Sequence, residues 1–110
     1  MAVLEVTDAQ FNNEILQHPI AEFIVFYSVV HPASRILQPV IEELSTEFGD
    51  QLKFVKIDSF ENPEWGLKYK VRTIPTIVLL RNGTEVARLI GFPIGDQNKL
   101  RLKTWIESNL

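Results

Sequence analysis

Two side chains with possible chemical roles stand three residues apart in the tetrapeptide His31-Pro32-Ala33-Ser34. A histidine beside a serine could act as a general base for a nucleophilic hydroxyl, provided that a third group orients the imidazole. The alternative is structural. His31 would then be a partly exposed loop or capping residue, and Ser34 would accept hydrogen bonds from free N–H groups at the start of a helix. The residue types alone leave both hypotheses open.

Cysteine is absent from all 110 residues. This absence excludes dithiol–disulfide exchange, thiolate nucleophiles, iron–sulfur ligation by cysteine and zinc–thiolate sites. One histidine does not make a metal site, and His18 lies far from His31 in the sequence. We therefore expect no metal and no cofactor, although His31 could still contribute to a metal or cluster site that another subunit completes.

The overall charge and hydropathy restrict the class of protein further. The chain has 11 basic and 14 acidic residues, a net charge of −3 and a pI of about 5.3, which does not suit a general nucleic-acid binder. Its longest apolar run, 23–30, is far shorter than the ~20 residues that span a bilayer. We expect one domain over residues 1–110, in the cytoplasm, with no contact to membrane or nucleic acid. The oligomeric state is left open.

A strand and a helix must position His31 and Ser34. Residues 23–30 are apolar without alternation and rich in β-branched and aromatic types, which predicts a central strand covered on both faces. Pro32 suits the first turn of a helix, and apolar residues recur at helical spacing from there to Phe48. Gly49 is typical of the residue that follows a helix. The tetrapeptide thus lies where the strand passes into the helix.

The remaining elements alternate in the same way. Thr7 and Gln10 form a capping-box pattern, which predicts a short helix that Pro19 ends. Asn82-Gly83 predicts a β-hairpin with a type I′ turn. The other predicted elements are strands at 3–6, 52–57, 76–80 and 85–89 and helices at 63–69 and 96–110. The order β-α-β-α-β-α-β-β-α predicts an α/β fold, with a mixed central sheet between two layers of helices.

In order and spacing, five stretches resemble the thioredoxin family over nearly the whole chain: FYSVVHPASRILQPVIEEL, KFVKIDSFENP, Ile74-Pro75-Thr76, LLRNGTEVARLIG and KTWIESNL. The resemblance implies a thioredoxin fold with a cis peptide bond before Pro75. It also implies that Val30, His31, Pro32, Ala33 and Ser34 occupy the five positions of the family motif Trp-Cys-Gly-Pro-Cys.

The chain departs from the family where the redox chemistry takes place. Both cysteine positions are occupied by other residues, His31 and Ser34. The buried acid of the family falls on Val25, whereas the basic residue that partners it is retained as Lys56. With Val25 apolar, no acid is placed to orient His31 for hydrolysis. The Lys56 ammonium group is expected to reach solvent or a carboxylate such as Asp58 or Glu43.

The resemblance implies a use for the surface that remains. In thioredoxins, an extended substrate segment lies in a groove beside the motif, the cis-proline and a glycine loop. We therefore expect a redox-inactive, atypical thioredoxin-like protein that binds a protein or peptide partner. There are two alternatives. One is an enzymatic activity that uses His31 and Ser34 without a thiol, and the other is a metal-linked role. Phe60 and Phe92 could be core residues or contact residues. The expected groove consists of Val30, His31, Pro32, Ala33, Ile74, Pro75, Gly91 and Phe92.

Overall fold

The computed structural model describes residues 3–16, 20–92, 95 and 97–110. Along these residues, strands and helices follow the predicted order. A π-helical turn, Asn12–Leu16, extends the first helix, and a 3-10 turn, Gly49–Gln51, follows the second. The elements are β1 (Leu4–Glu5), α1 (Asp8–Phe11), β2 (Glu22–Tyr27), α2 (Pro32–Phe48), β3 (Lys53–Asp58), α3 (Pro63–Lys68), β4 (Thr76–Arg81), β5 (Thr84–Ile90) and α4 (Asn98–Asn109).

The sheet is mixed, as predicted, and its strand order is β1-β3-β2-β4-β5. The pairs β1–β3 and β2–β3 are parallel, whereas β2–β4 and β4–β5 are antiparallel. Every residue of β2 is buried, which confirms that it is a central strand. Tyr27 pairs with Asp58, Phe26 with Thr76, and Thr76 with Ile90. One end of the sheet therefore carries the ends of β2, β3 and β5 and the start of β4.

Alternate side chains of β2 contribute to two separate cores. Phe23, Val25 and Tyr27 join the core that α2 and α4 cover. Ile24 and Phe26 join the core on the other face, which α1 and the π-helical turn cover. Trp65 and Tyr69 in and after α3 pack against this second core. The helices therefore lie on both faces of the sheet, which confirms the predicted α/β class.

The predicted strand 23–30 is too long at its C-terminal end. β2 ends at Tyr27, and Val29 and Val30 lie in a turn with 61% and 76% of their surfaces exposed. The pairing of β2 with β3 ends at Tyr27 and that with β4 at Phe26, so no partner strand holds the next residues extended. The predicted helix end at Pro19 and the helix start at Asp96 lie outside the described residues.

Local turn chemistry confirms two other predictions. Asn82 and Gly83 have φ of 52° and 78°, the positive values that a type I′ turn requires at both positions. The Gln10 side chain accepts a hydrogen bond from the Thr7 N–H at 3.0 Å, as a capping box requires. Helix α2 continues through Pro39 to Phe48, and Gly49, whose φ is 55°, follows its last residue.

Candidate functional site

A tight turn between β2 and α2 carries the motif residues. The His31 N–H donates a hydrogen bond to the Ser28 carbonyl at 3.1 Å, which reverses the chain after β2. His31 caps the N-terminus of α2, and its carbonyl accepts the Arg35 N–H at 3.2 Å. Pro32 takes the first helical position, where its missing N–H is not needed. The sequence thus sets the turn locally.

His31 and Ser34 have different environments. His31 and Pro32 are exposed and Ala33 is half-buried, whereas Ser34 is only 1% exposed. The Ser34 Oγ accepts a hydrogen bond from the Ser28 N–H at 3.4 Å. We expected it to accept one from an N–H at the start of α2; instead, its partner lies in the turn before that helix. Among the described residues, no hydrogen bond joins His31 to Ser34, so a general base and a nucleophile are not brought together there.

The second part of the expected groove is the segment at the start of β4. The peptide bond between Ile74 and Pro75 is cis, as the family resemblance implied. The Pro75 carbonyl accepts a hydrogen bond from the Gly91 N–H at 2.8 Å, and the φ of Gly91 is 81°. This hydrogen bond brings the proline segment and the glycine loop together. Phe92 is half-buried and packs against the core under α2 and α4.

The register places the two segments of the expected groove at one end of the sheet. The motif turn follows Tyr27, and Pro75 directly precedes Thr76, the partner of Phe26. Three more apolar side chains are exposed at this end: Val29 (61%), Phe60 (81%) and Ile90 (65%). The sequence left open whether Phe60 is a core residue or a contact residue, and it did not single out Val29 or Ile90 as contact residues. Their positions just beyond or at a strand end were the available signal.

Beside the motif turn, the structure pairs Val25 with Lys56 in adjacent strands. Val25 is completely buried. The Lys56 ammonium group donates to the Gln38 side-chain oxygen at 3.2 Å and lies 5.7 Å from the centre of the Tyr27 ring. The expectation that Lys56 pairs with the carboxylate of Asp58 or Glu43 was therefore wrong.

The two carboxylates proposed for Lys56 have other partners. Asp58 accepts hydrogen bonds from the backbone N–H groups of Phe60 and Glu61, at 2.9 and 3.3 Å. Glu43 lies 3.9 Å from the ammonium group of Lys99. Asp58 therefore holds the turn after β3, and Glu43 belongs to an ion pair between α2 and α4.

The Tyr27 hydroxyl donates a hydrogen bond to the Glu5 carboxylate at the end of β1. Burial raises the pKa of Tyr27, and the hydrogen bond to Glu5 raises it further, because both oppose formation of a phenolate. Tyr27 therefore stays protonated and remains the donor to Glu5 at physiological pH. The contact links the edge strand to the centre of the sheet beside the motif turn.

Two features of the described residues bear on the other functional classes. No group of three or more histidine, aspartate or glutamate side chains in the described ranges could hold a metal ion. No helix in the same ranges has the length and apolar character needed to cross a membrane.

Known proteins are similar to this chain over most or nearly all of its length. The family model described as Thioredoxin matches residues 2–108. The thioredoxin of Rickettsia typhi is 35% identical over 108 residues, which cover 98% of this chain and 99% of that protein. The thioredoxin of Rickettsia prowazekii is 34% identical with the same coverage. Thioredoxin 1 of Synechococcus elongatus is 34% identical over 86 residues, covering 78% of this chain and 80% of that protein.

Proposed function

The chain belongs to the thioredoxin family, and we propose that it is a redox-inactive member that binds an extended segment of a protein or peptide partner. Its 110 residues contain no cysteine, and neither an imidazole nor a hydroxyl can form a mixed disulfide. The proposed groove consists of Val30, His31, Pro32, Ala33, Ile74, Pro75, Gly91 and Phe92, together with the neighbouring exposed residues Val29, Phe60 and Ile90.

The observation that carries this proposal is the set of exposed apolar side chains at one end of the sheet. Val30 is 76% exposed, Phe60 81% and Ile90 65%. Apolar side chains exposed together are costly in water unless a partner covers them, so such patches are typical of interaction sites. This set lies at the end of the sheet that carries the former redox motif, where thioredoxins receive their substrates.

Free backbone groups at Ile74 favour an extended partner. Among the described residues, no hydrogen bond involves the N–H or the carbonyl of Ile74. Ile74 itself is half-buried and packs against the second core. A partner in extended conformation could pair with this backbone as an added strand, while its alternate apolar side chains cover Val30, Phe60 and Ile90. This geometry favours a linear apolar segment over a small molecule.

A selection from a library of random linear peptides, displayed on their encoding RNA, tests the proposal. We expect enriched peptides with alternating apolar residues that bind the wild-type chain. Ile90→Asp and Val30→Asp should weaken their binding at least about tenfold, because a charge would be buried against apolar side chains. Both positions are exposed, so these substitutions should leave folding intact.

Val86→Asp provides the matched control. Val86 lies on β5, as Ile90 does, and is 46% exposed, but it is near the hairpin at the other end of the sheet. Its substitution should leave peptide affinity unchanged. The proposal is wrong if no peptide is enriched, or if Val86→Asp and Ile90→Asp weaken binding equally.

A further inference from the structure

A cavity of about 420 Å³ opens beside the motif turn, between the end of the sheet and α2. Its polar lining includes Glu5, Tyr27, Ser34, Arg35, Gln38 and Lys56. None of these except Ser34 belongs to the motif or groove positions, and Ser34 is buried beneath them. The volume lies within the range of small-molecule pockets. We refer to this cavity as the crevice.

The connections of two neighbouring strands explain why a crevice forms at this place. β2 leads into α2, which covers one face of the sheet, whereas β3 leads towards α3 on the opposite face. The connections after these two adjacent parallel strands run to opposite faces of the sheet. A gap is therefore left beyond the carboxyl ends of the strands. In open α/β sheets, ligands bind in gaps of this kind.

The charges in the crevice are incompletely neutralised. Within the described ranges, neither Arg35 nor Lys56 forms an ion pair. The Lys56 ammonium group donates its side-chain hydrogen bond to the uncharged Gln38 and otherwise lies near the Tyr27 ring. The single acid of the lining, Glu5, accepts the hydroxyl of Tyr27. Among the side chains that line the crevice, two cations and one anion leave a net charge of +1. Asp58 and Glu61, whose negative charges also act on Tyr27, are not part of this lining.

A buried hydroxyl adds a third donor. Ser34 is 1% exposed, and its oxygen is engaged by the Ser28 N–H. In the described part of the chain, no acceptor is found for the Ser34 O–H itself. A buried donor without an acceptor is costly, and a ligand oxygen in the crevice would satisfy it.

We propose that the crevice binds a small organic anion through a carboxylate or phosphate group. The Arg35 guanidinium can offer two parallel N–H donors to such a group. Lys56 contributes a positive charge, and Ser34 a neutral donor. Carboxylates and phosphates share this oxyanion chemistry, and the experiment below separates them. Val29 borders both the crevice and the proposed groove, but the anion is expected to bind without a peptide.

Nuclear magnetic resonance of the ¹⁵N-labelled chain tests the proposal. The chain is titrated with sodium phosphate and, separately, with sodium acetate, while sodium chloride keeps the ionic strength constant. We expect saturable shifts of the Ser34, Arg35, Gln38 and Lys56 amides with at least one of the two anions. Saturation by phosphate alone or by acetate alone would support the proposal and identify the group that is bound.

Two variants and one control complete the test. Arg35→Gln and Lys56→Met should each weaken the affinity about tenfold or more, since each removes a charged hydrogen-bond donor. Arg101→Gln removes an exposed arginine from α4 and should leave the affinity unchanged. The proposal is overturned if neither anion causes saturable shifts, if the shifts spread over many basic residues, or if Arg35→Gln binds as the wild type does.

Discussion

Val25 lies directly opposite Lys56 in the parallel pairing of β2 and β3. In thioredoxins, the corresponding pair is a buried acid and a basic residue. Here Val25 occupies the position of the acid and is completely buried, and the Lys56 ammonium group donates a hydrogen bond to the neutral amide of Gln38. A buried carboxylate is costly unless it is paired, so a valine is the more stable occupant once no proton has to be relayed.

We therefore expect Val25→Asp to lower the free energy of unfolding by about 2–4 kcal/mol. The substitution removes apolar contacts and buries a polar group, which Lys56 compensates only in part. Urea denaturation followed by circular dichroism measures the loss. Val29→Asp, at a position that is 61% exposed, should cost much less. Equal losses for the two variants would show that the site of Val25 is not a closed apolar environment.

Glu22, at the start of β2, should make the stability of the fold depend on pH. It is completely buried, and neither of its carboxylate oxygens has a hydrogen-bond partner among the described residues. Burial raises the pKa of Glu22 to about 8; nearby Lys53 opposes this shift and nearby Glu14 adds to it. Between its ordinary value of 4.5 and 8, the folded chain retains a proton that the unfolded chain has released.

Because the folded state binds more protons in this window, Glu22 lowers stability as the pH rises from about 4.5 to 8. The slope is at most about 1.4 kcal/mol per pH unit. Glu22→Gln imitates the protonated acid and should be increasingly more stable than the wild type across this range. Denaturation at pH 5, 6.5 and 8 measures the difference. Glu107→Gln, on the exposed side of α4, should show no such trend.

A constant difference between Glu22→Gln and the wild type from pH 5 to 8 would contradict the shifted pKa. Such a result would mean that Glu22 titrates alike in the folded and unfolded chains.

Asp8 stabilises α3 from the first helix of the chain. Its two carboxylate oxygens accept the backbone N–H groups of Glu64 and Trp65, at 3.1 and 3.4 Å. Its carbonyl accepts the indole N–H of Trp65 at 3.0 Å. The carboxylate thus satisfies N–H groups in the first turn of α3 that have no partner within the helix. Trp65 also stacks on Phe11, with ring centres 4.4 Å apart.

Asp8→Ala should therefore lower the free energy of unfolding by about 1 kcal/mol, the usual cost of losing a helix cap. Asp8→Asn retains an oxygen acceptor and should lose less. Thermal unfolding measures both losses. Asp50→Ala, in the exposed turn after α2, is the control. If Asp8→Ala is no less stable than this control, the carboxylate does not cap α3.

Local patterns predicted the parts of the fold that local chemistry determines. The Asn82-Gly83 turn follows from the preference of these two residues for positive φ, and the start of α2 follows from Pro32. The exposure of Val30 could not be predicted from local sequence patterns. It depends on where β3 and β4 stop pairing with β2, and those strands are distant in sequence.

The candidate sites show the same limit. The cis peptide bond at Pro75 was expected only because of the family resemblance, since proline at the start of a strand is also compatible with a trans bond. Glu5, Arg35 and Lys56 come together in the crevice because the topology joins three elements. Nothing in the spacing of these residues indicates that they are neighbours. Glu22 was missed because an acid beside an apolar run is normally solvated.

The missing thiol chemistry leads to the last prediction. The wild-type chain should reduce insulin disulfides no faster than the uncatalysed reaction with dithiothreitol, because it has no thiolate. The double variant His31→Cys/Ser34→Cys should gain catalysis, since it places one thiol at the exposed start of α2 and the other at a buried position one turn later. A helix N-terminus lowers the pKa of a thiol and so favours the attacking thiolate.

The gain should remain roughly 100-fold below the rate of a thioredoxin, because Val25 cannot relay the proton that the second thiol must lose. The single variant His31→Cys is the control. It can form a mixed disulfide, but it has no second thiol to resolve it, so it should not turn over. Turnover by the wild type would refute the loss of redox activity. A folded but inactive double variant would show that the turn no longer holds positions 31 and 34 as thioredoxins hold their cysteines.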